Sequence, residues 1–309
     1  MKFLVDAIIP TFNSSKYIER CLTSLRNQED GDRINLIIID GGSTDETIKI
    51  AKDFNCEIYI KKGMYSNGKE GARNYGIHLC KSEYYWQIDS DNILLGNKVL
   101  IKLLKPFEDS SIIISNPMII KENNKFTLNN YLAYIDNVNL SILLNKGIKR
   151  DGYIFLEDLD YGLNNAAIIK NSALKQVGYD QDIEVLTRLR ALHLSASAIV
   201  PDAQFIHLQT TGFIDYLKKL NRRVMLYAKY VENGRDNYFI SRDNQTLPEN
   251  ITPTKDLSPI NSLIYSFKYY KLDKDKLIFL SFPLALLYLI SAIGHPISTY
   301  KVYKNYVLH

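Results

Sequence analysis

The chain has 309 residues, 46% hydrophobic and 23% charged, which suits one large folded domain or two ordinary ones and not a disordered chain. A net charge of +4 is too mild and too dispersed to mark a nucleic-acid partner, and a mean hydropathy of −0.16 excludes a protein of many membrane spans. Cys21, Cys56 and Cys80 are odd in number and lack metal-ligand spacing, so buried free thiols in a reducing compartment are expected.

Met1 to Pro10 runs directly into a strand at Val5–Pro10, so no signal peptide is expected. Ser15 to Asn27 follows as an amphipathic helix with Ile18, Leu22 and Leu25 on one face. Leu36 to Asp40 is a β-branched and apolar run that suits a parallel strand buried on both faces. Gly41-Gly42-Ser43 turns the chain into a helix over Thr44–Lys52, and Cys56–Ile60 is a third strand. A third helix spans Gly68–Cys80 and a fourth strand Tyr84–Ile88. This βαβα rhythm predicts a doubly wound α/β fold with a parallel sheet.

Beyond residue 95 the rhythm loosens. A helix is expected at Val99–Leu104, a short strand at Ile112–Ile114, and a helix and loop at Asn129–Leu144. Asp182–His193 is helical, Ala198–Val200 is a strand ended by Pro201, and Phe213–Val231 is a long basic helix. Pro248, Pro253 and Pro259 mark a loop or linker. Leu277–Gly294 then carries no charge over eighteen residues and is flanked by lysines. That length is the lower edge for crossing a bilayer, and Pro283 within it and His295-Pro296 just after it would break it. Insertion at a membrane surface is one reading, and a buried core helix or hairpin is the other.

Asp89-Ser90-Asp91 places two carboxylates one residue apart after an apolar strand. Hard cations take oxygen ligands and share substrate phosphates, and ligands bind at the carboxyl edge of such sheets. Taken alone, the acidic turn reads more readily as a solvated loop. It stands with three other blocks, Ala7-Ile8-Ile9-Pro10-Thr11-Phe12-Asn13, Ile37-Ile38-Ile39-Asp40-Gly41-Gly42-Ser43-Thr44-Asp45 and Glu70-Gly71-Ala72-Arg73-Asn74. The four in this order over residues 5 to 92 resemble the GT-A glycosyltransferases of family 2.

The resemblance implies a role for each block. Pro10, Thr11 and Asn13 would meet the nucleotide base and ribose, with helix capping as the alternative for the last two. Asp40 would accept a hydrogen bond from a uracil-type imide, while Asp45 reads as a helix-dipole residue. Arg73 would reach the nucleotide or its diphosphate, or else pair with Asp40 or Asp89. Asn74 reads as structural. Asp91 would bind the metal, Mg²⁺ or Mn²⁺, most directly, with Asp89 on the ribose or the metal's water shell. His207, closing Pro201–His207, would be a further metal ligand or would touch the diphosphate, against the plainer reading of a core histidine.

Gln181-Asp182-Ile183-Glu184 followed by Arg188-Leu189 resembles the family's pattern for the general base, which assigns that role to Asp182. Gln181 stands where the family has Glu, which leaves the acceptor-positioning role of that residue open. Glu157, Asp158 and Asp160 are a rival source of the base. Tyr131, Tyr134, Tyr153 and Tyr161 suit either sugar stacking or core packing, and Lys218, Lys219, Arg222 and Arg223 either a diphosphate, anionic lipid or solvent.

The implied activity is inverting transfer of a sugar from a nucleotide-diphosphate sugar, UDP foremost, to a glycan or lipid-linked acceptor. Membrane-surface contact and a place at the cytoplasmic face go with it. The domain reading is a transferase over 1–235 (donor half 1–95, acceptor half 96–235), a linker at 236–262 and a helical segment at 263–309. A nucleotidyltransferase would place a Gly-rich, basic loop where Pro10–Ser15 stands. A degenerate nucleotide-sugar-binding or scaffold protein is the alternative without turnover.

Overall fold

The structure, a computed structural model, describes residues 3–62, 69–122, 147–157, 165–179, 182–194 and 196–208, with Asn130, Ala133 and Leu144. All belong to the compact unit Met1–Gln209. The expected basic helix, the linker and the segment 263–309 lie outside the described residues, as does most of Asn129–Leu144. Among the described residues no helix is long and apolar enough to cross a membrane.

Strands β1 (Val5–Thr11), β2 (Ile34–Asp40), β3 (Glu57–Ile60) and β4 (Tyr84–Gln87) form a parallel block in the order β3-β2-β1-β4. Every residue of β1 and β2 is buried, as their continuous apolar runs require. Helix α1 (Ser15–Arg26) covers one face through Ile18, Leu22 and Leu25, and each such burial stabilises by about 1.5–3 kcal/mol. Helix α2 is Thr47–Asp53. Helix α3 (Glu70–Leu79) covers the other face, with Ala72 and Ile77 against Ile8, Ile37 and Ile39. A Cβ on Gly76 would stand 2.4 Å from the Ile8 side chain, so only glycine lets α3 lie this close to β1.

The second half is mixed. Among the described residues it adds β5 (Asn92–Leu94), β6 (Ile114–Ile119), β7 (Ile148–Arg150), β8 (Tyr153–Leu156), β9 (Ile168–Lys170) and β10 (Ser197–His207). The order continues β4-β9-β6-β10-β8-β7. β9 is antiparallel to both β4 and β6, whereas β6 and β10 are parallel, so β10 ends on the same side as β1, β2 and β4. β5 pairs antiparallel with the end of β10. Helices α4 (Val99–Leu104), α5 (Asn171–Val177) and α6 (Asp182–Ala191) complete the described elements, apart from two short 3₁₀ turns. Val185, Leu186 and Leu189 bury α6 on the same face as α3.

In the second half β5, β7, β8, β9 and α5 have no counterpart in the sequence reading, and two expected strands run further than it placed them. The last strand does not stop at Pro201: β10 continues to His207. Likewise β6 runs through Pro117 to Ile119, past the expected end at Ile114. The two prolines share one break, because Pro117 pairs with Val200 and the register slips from there to Gln204. A bulge leaves residues outside the ladder, so a proline's missing N–H costs little there. Cys21, Cys56 and Cys80 are free, and burial pushes all three thiols up, that of Cys56 to about 12.

Candidate active site

Two loops, after β1 and after β2, are tied together at the carboxyl edge of the sheet. Asn13, at φ 49°, donates its backbone N–H to Ser43 Oγ at 2.8 Å and accepts from the Thr44 N–H at 2.9 Å through its side-chain oxygen. Ser14 N–H donates to Thr47 Oγ1 and Ser15 N–H to Asp45 Oδ2. Neither Thr11 nor Asn13 caps α1. Although burial raises the Asp45 carboxyl, hydrogen bonds from Thr47 and Ser15 hold it down to about 2. Asp45 thus joins the starts of α1 and α2. Phe12, between Thr11 and Asn13, is exposed.

Asp40 is fully buried at the end of β2. Its Oδ2 accepts from Thr11 Oγ1 at 2.9 Å and Ser43 Oγ at 2.5 Å, and its Oδ1 from the N–H groups of Gly42 at 2.8 Å and Ser43 at 2.7 Å. These four bonds match the acceptor capacity of a carboxylate, about four lone-pair sites. Gly42 sits at φ +99°, where a side chain would be strained, and this turns its N–H onto Asp40. Pro10 is buried in β1, paired with Ile39.

The end of β4 carries charge instead. Asp89 is 6% exposed. Its Oδ1 accepts from Arg73 Nη2 at 2.8 Å, and its Oδ2 pairs with Lys69 Nζ. Burial raises this carboxyl, but Lys69, then Arg73 and then His207, hold it well below the usual carboxylate range. Arg73 is itself fully buried, and of the two carboxylates named for it the one it pairs with is Asp89. Ser90 donates to Ser14 Oγ at 2.9 Å and anchors the acidic turn on α1. Asn74 is structural, accepting the Tyr179 N–H at 3.0 Å.

His207 arrives from more than a hundred residues further along the chain. Its Nε2 lies 3.2 Å from Asp91 Oδ1 and 4.0 Å from Asp89 Oδ2. Asn165 Nδ2 sits 3.1 Å from Nδ1 on the other side of the ring, and Asp91 is held to the strand by the Leu208 N–H on its carbonyl at 3.0 Å. One donor atom from each of Asp89, Asp91 and His207 lies within 4.8 Å of the others. Around a six-coordinate divalent ion at about 2.1 Å, neighbouring ligands stand roughly 3 Å apart and opposite ones roughly 4.2 Å. The three residues therefore fit such an ion.

Asp182 opens α6, and its side chain lies outside what is described. Gln181, Asp158 and Asp160 lie outside the described residues. Glu157 is exposed and follows β8, whose Leu156 pairs with Ser197 at the start of β10, so it leaves the sheet at the end opposite His207. Lys69 and Asn165 were not singled out in the sequence. Lys69 was legible in principle, because it precedes Arg73 by four residues and so shares its helix face. Asn165 carries no such local mark.

Residues 6–178, more than half of the chain, match the family model described as Glycosyl transferase family 2. The glycosyltransferase GlyG of Streptococcus pneumoniae is 29% identical over 120 residues, 38% of this chain and 40% of that protein. The GalNAc(5)-diNAcBac-PP-undecaprenol beta-1,3-glucosyltransferase of Campylobacter jejuni is 28% identical over 124 residues, 39% of this chain and 40% of its own length. The similarity thus spans about two fifths of each of these relatives. Among solved structures, the mannosyltransferase PcManGT of Pyrobaculum calidifontis, in complex with GDP-Man and Mn²⁺, aligns with a TM-score of 0.55 at 14% identity. That alignment covers 95% of this chain and 87% of the other, and it shows a shared fold.

Proposed function

The chain belongs to glycosyl transferase family 2, and on that footing we propose that it moves a sugar, with inversion, from a nucleotide-diphosphate donor to an acceptor hydroxyl. The observation that carries this reading is the cluster of Asp89, Asp91 and His207 with Lys69 and Arg73, at the carboxyl edge where sheets of this kind bind ligands. Two carboxylates, an imidazole and two cations suit a divalent ion with a diphosphate and suit little else. UDP is the nucleotide proposed first.

Asp91 and His207 would hold the metal most directly, because both oxygens of Asp89 already meet cations. When bound, it supplies a Lewis acid for the charge that develops on the leaving diphosphate. Mn²⁺ suits the imidazole better than Mg²⁺, which prefers oxygen, and the Pyrobaculum neighbour was solved with Mn²⁺. Lys69, a third exposed, is able to leave Asp89 for a phosphate oxygen. Arg73 and Asp89 keep the floor of the site fixed. Asp182 takes the acceptor's proton as its oxygen attacks the anomeric carbon. The bond to the diphosphate breaks on the opposite face, and no covalent enzyme intermediate forms.

A glycan or lipid-linked acceptor at the cytoplasmic face of a membrane belongs to the same proposal. The name of the Campylobacter relative and the uncharged stretch at 277–294 support it. The division into a transferase over 1–235, a linker at 236–262 and a membrane-associated helical segment at 263–309 belongs to the same proposal.

Calorimetric titration of the full chain with UDP, GDP and dTDP, each with and without Mn²⁺, tests the donor site. Metal-dependent binding of one nucleotide is expected, whereas no binding of any would favour a scaffold. Asp91→Ala should lower the affinity measured with Mn²⁺ by about 100-fold, to the metal-free value. Asp182→Asn should cut turnover by about 10²–10⁴-fold and leave donor affinity within about threefold, and retained turnover would move the base elsewhere.

A further inference from the structure

The site described above uses Arg73 and Asp89 but does not explain what aims the guanidinium. Tyr85, Gln87 and Asp89 occupy alternate positions along β4 and its extension, so their side chains share the face that α3 covers. Each reaches Arg73. Tyr85 OH donates to the Arg73 carbonyl at 3.1 Å, and Asp89 takes Nη2. Gln87 reaches it through Tyr179, whose hydroxyl donates to Gln87 Oε1 at 2.7 Å and accepts from Arg73 Nη1 at 3.0 Å. Gln87 and Tyr179 are at most 1% exposed.

The Tyr179 hydroxyl has one proton, given to Gln87, so it faces Arg73 as an acceptor. With Nη1 engaged there, Nη2 is turned to Asp89. A phenylalanine ring would fill the same apolar space without this direction. Tyr179 is also pinned to α3 by its N–H on Asn74 Oδ1, and it precedes Asp182, the first residue of α6, by three residues.

We propose that Tyr179 is a positioning residue whose hydroxyl, held by Gln87, fixes the Arg73 guanidinium on Asp89 and so ties the diphosphate and metal cluster to the segment that leads into α6. The functional half of this rests on the donor reading proposed above. Its local half, the orientation of Arg73, does not.

The test uses the full chain with Tyr179→Phe and with the double variant Tyr179→Phe/Gln87→Leu, in which the amide that loses its donor is replaced by an apolar group of similar size. Thermal melting reports packing. The ¹⁵N–¹H signals of the Arg73 guanidinium report its rotation, and calorimetry reports UDP binding with Mn²⁺. Slow rotation is expected in the parent, with separate Nη signals, and fast, averaged signals in both variants. Metal-dependent UDP affinity should fall about tenfold or more, as for a lost hydrogen bond to a charged group, including in the double variant where melting recovers. Unchanged Arg73 signals in a folded variant would overturn the proposal. So would variants that melt earlier and bind UDP as the parent does. If the parent binds no nucleotide while the Arg73 signals still average in the variants, the donor reading fails and the positioning of Arg73 by Tyr179 stands.

Discussion

Asp40 and Asp89 occupy the carboxyl ends of β2 and β4, the two strands that flank β1, and both are buried, yet they are neutralised in opposite ways. Asp40 is met by the Thr11 hydroxyl at the end of β1 and by hydroxyl and backbone N–H groups of the loop after β2. Asp89 is met by Lys69 and Arg73, with His207 close by. A carboxylate saturated by neutral donors is a fastening, because each bond orders a loop. One compensated by a partly exposed lysine and a buried arginine is a store of charge within reach of a ligand. The β2 end thus orders its loops, and the β4 end gathers the charged groups on which the proposed ion chemistry rests.

Three substitutions bear on this contrast. Asp89→Asn should have the largest effect on stability, about 3–5 kcal/mol in urea denaturation, because it removes one charge of a buried ion pair with the fully buried Arg73. The folded carboxyl is depressed, so its contribution is complete above about pH 4, where the unfolded carboxyl ionises, and it fades as pH falls below that. The variant should therefore show a flatter acid limb than the parent. Equal acid limbs would remove the distinction between the two aspartates.

Asp40→Asn should cost less, about 1.5–3 kcal/mol, because charged acceptor bonds to neutral donors are weakened and no buried cation is exposed. Nucleotide binding should retain its Mn²⁺ dependence in this variant, and losing it would place Asp40 in the ion site. Asp45→Asn should have the smallest effect, under about 1 kcal/mol, because the side chain is exposed and screened. Its pH signature lies between about 4, the unfolded value, and about 2, the folded one. Stability is present above this window and lost through it as pH falls.

The N-terminal half was legible because its signals are local. β1 and β2 are continuous apolar runs, α1 has a clean apolar face, and Asp40, Arg73, Asp89 and Asp91 stand at the ends of elements where short-range pattern puts them. The second half was less so. β5, β7, β8 and β9 are three or four residues long, too short for periodicity to separate from loop. Pro201 read as a terminator and β6 was expected to stop at Ile114, whereas a bulge between Val200 and Gln204, opposite Pro117 and Met118, keeps both strands going.

By itself, then, the sequence determined the α/β class, the family and the residue types of the site, including His207 as a metal ligand candidate. These depend on side-chain chemistry and on spacing within one element. Tertiary structure alone decided that Arg73 turns to Asp89 and not to Asp40, that Lys69, Asn165 and Tyr179 join the same cluster, and that Glu157 stands at the opposite end of the sheet. Those outcomes depend on strand order and direction, which bring residues about a hundred positions apart within hydrogen-bond reach and which no local pattern encodes.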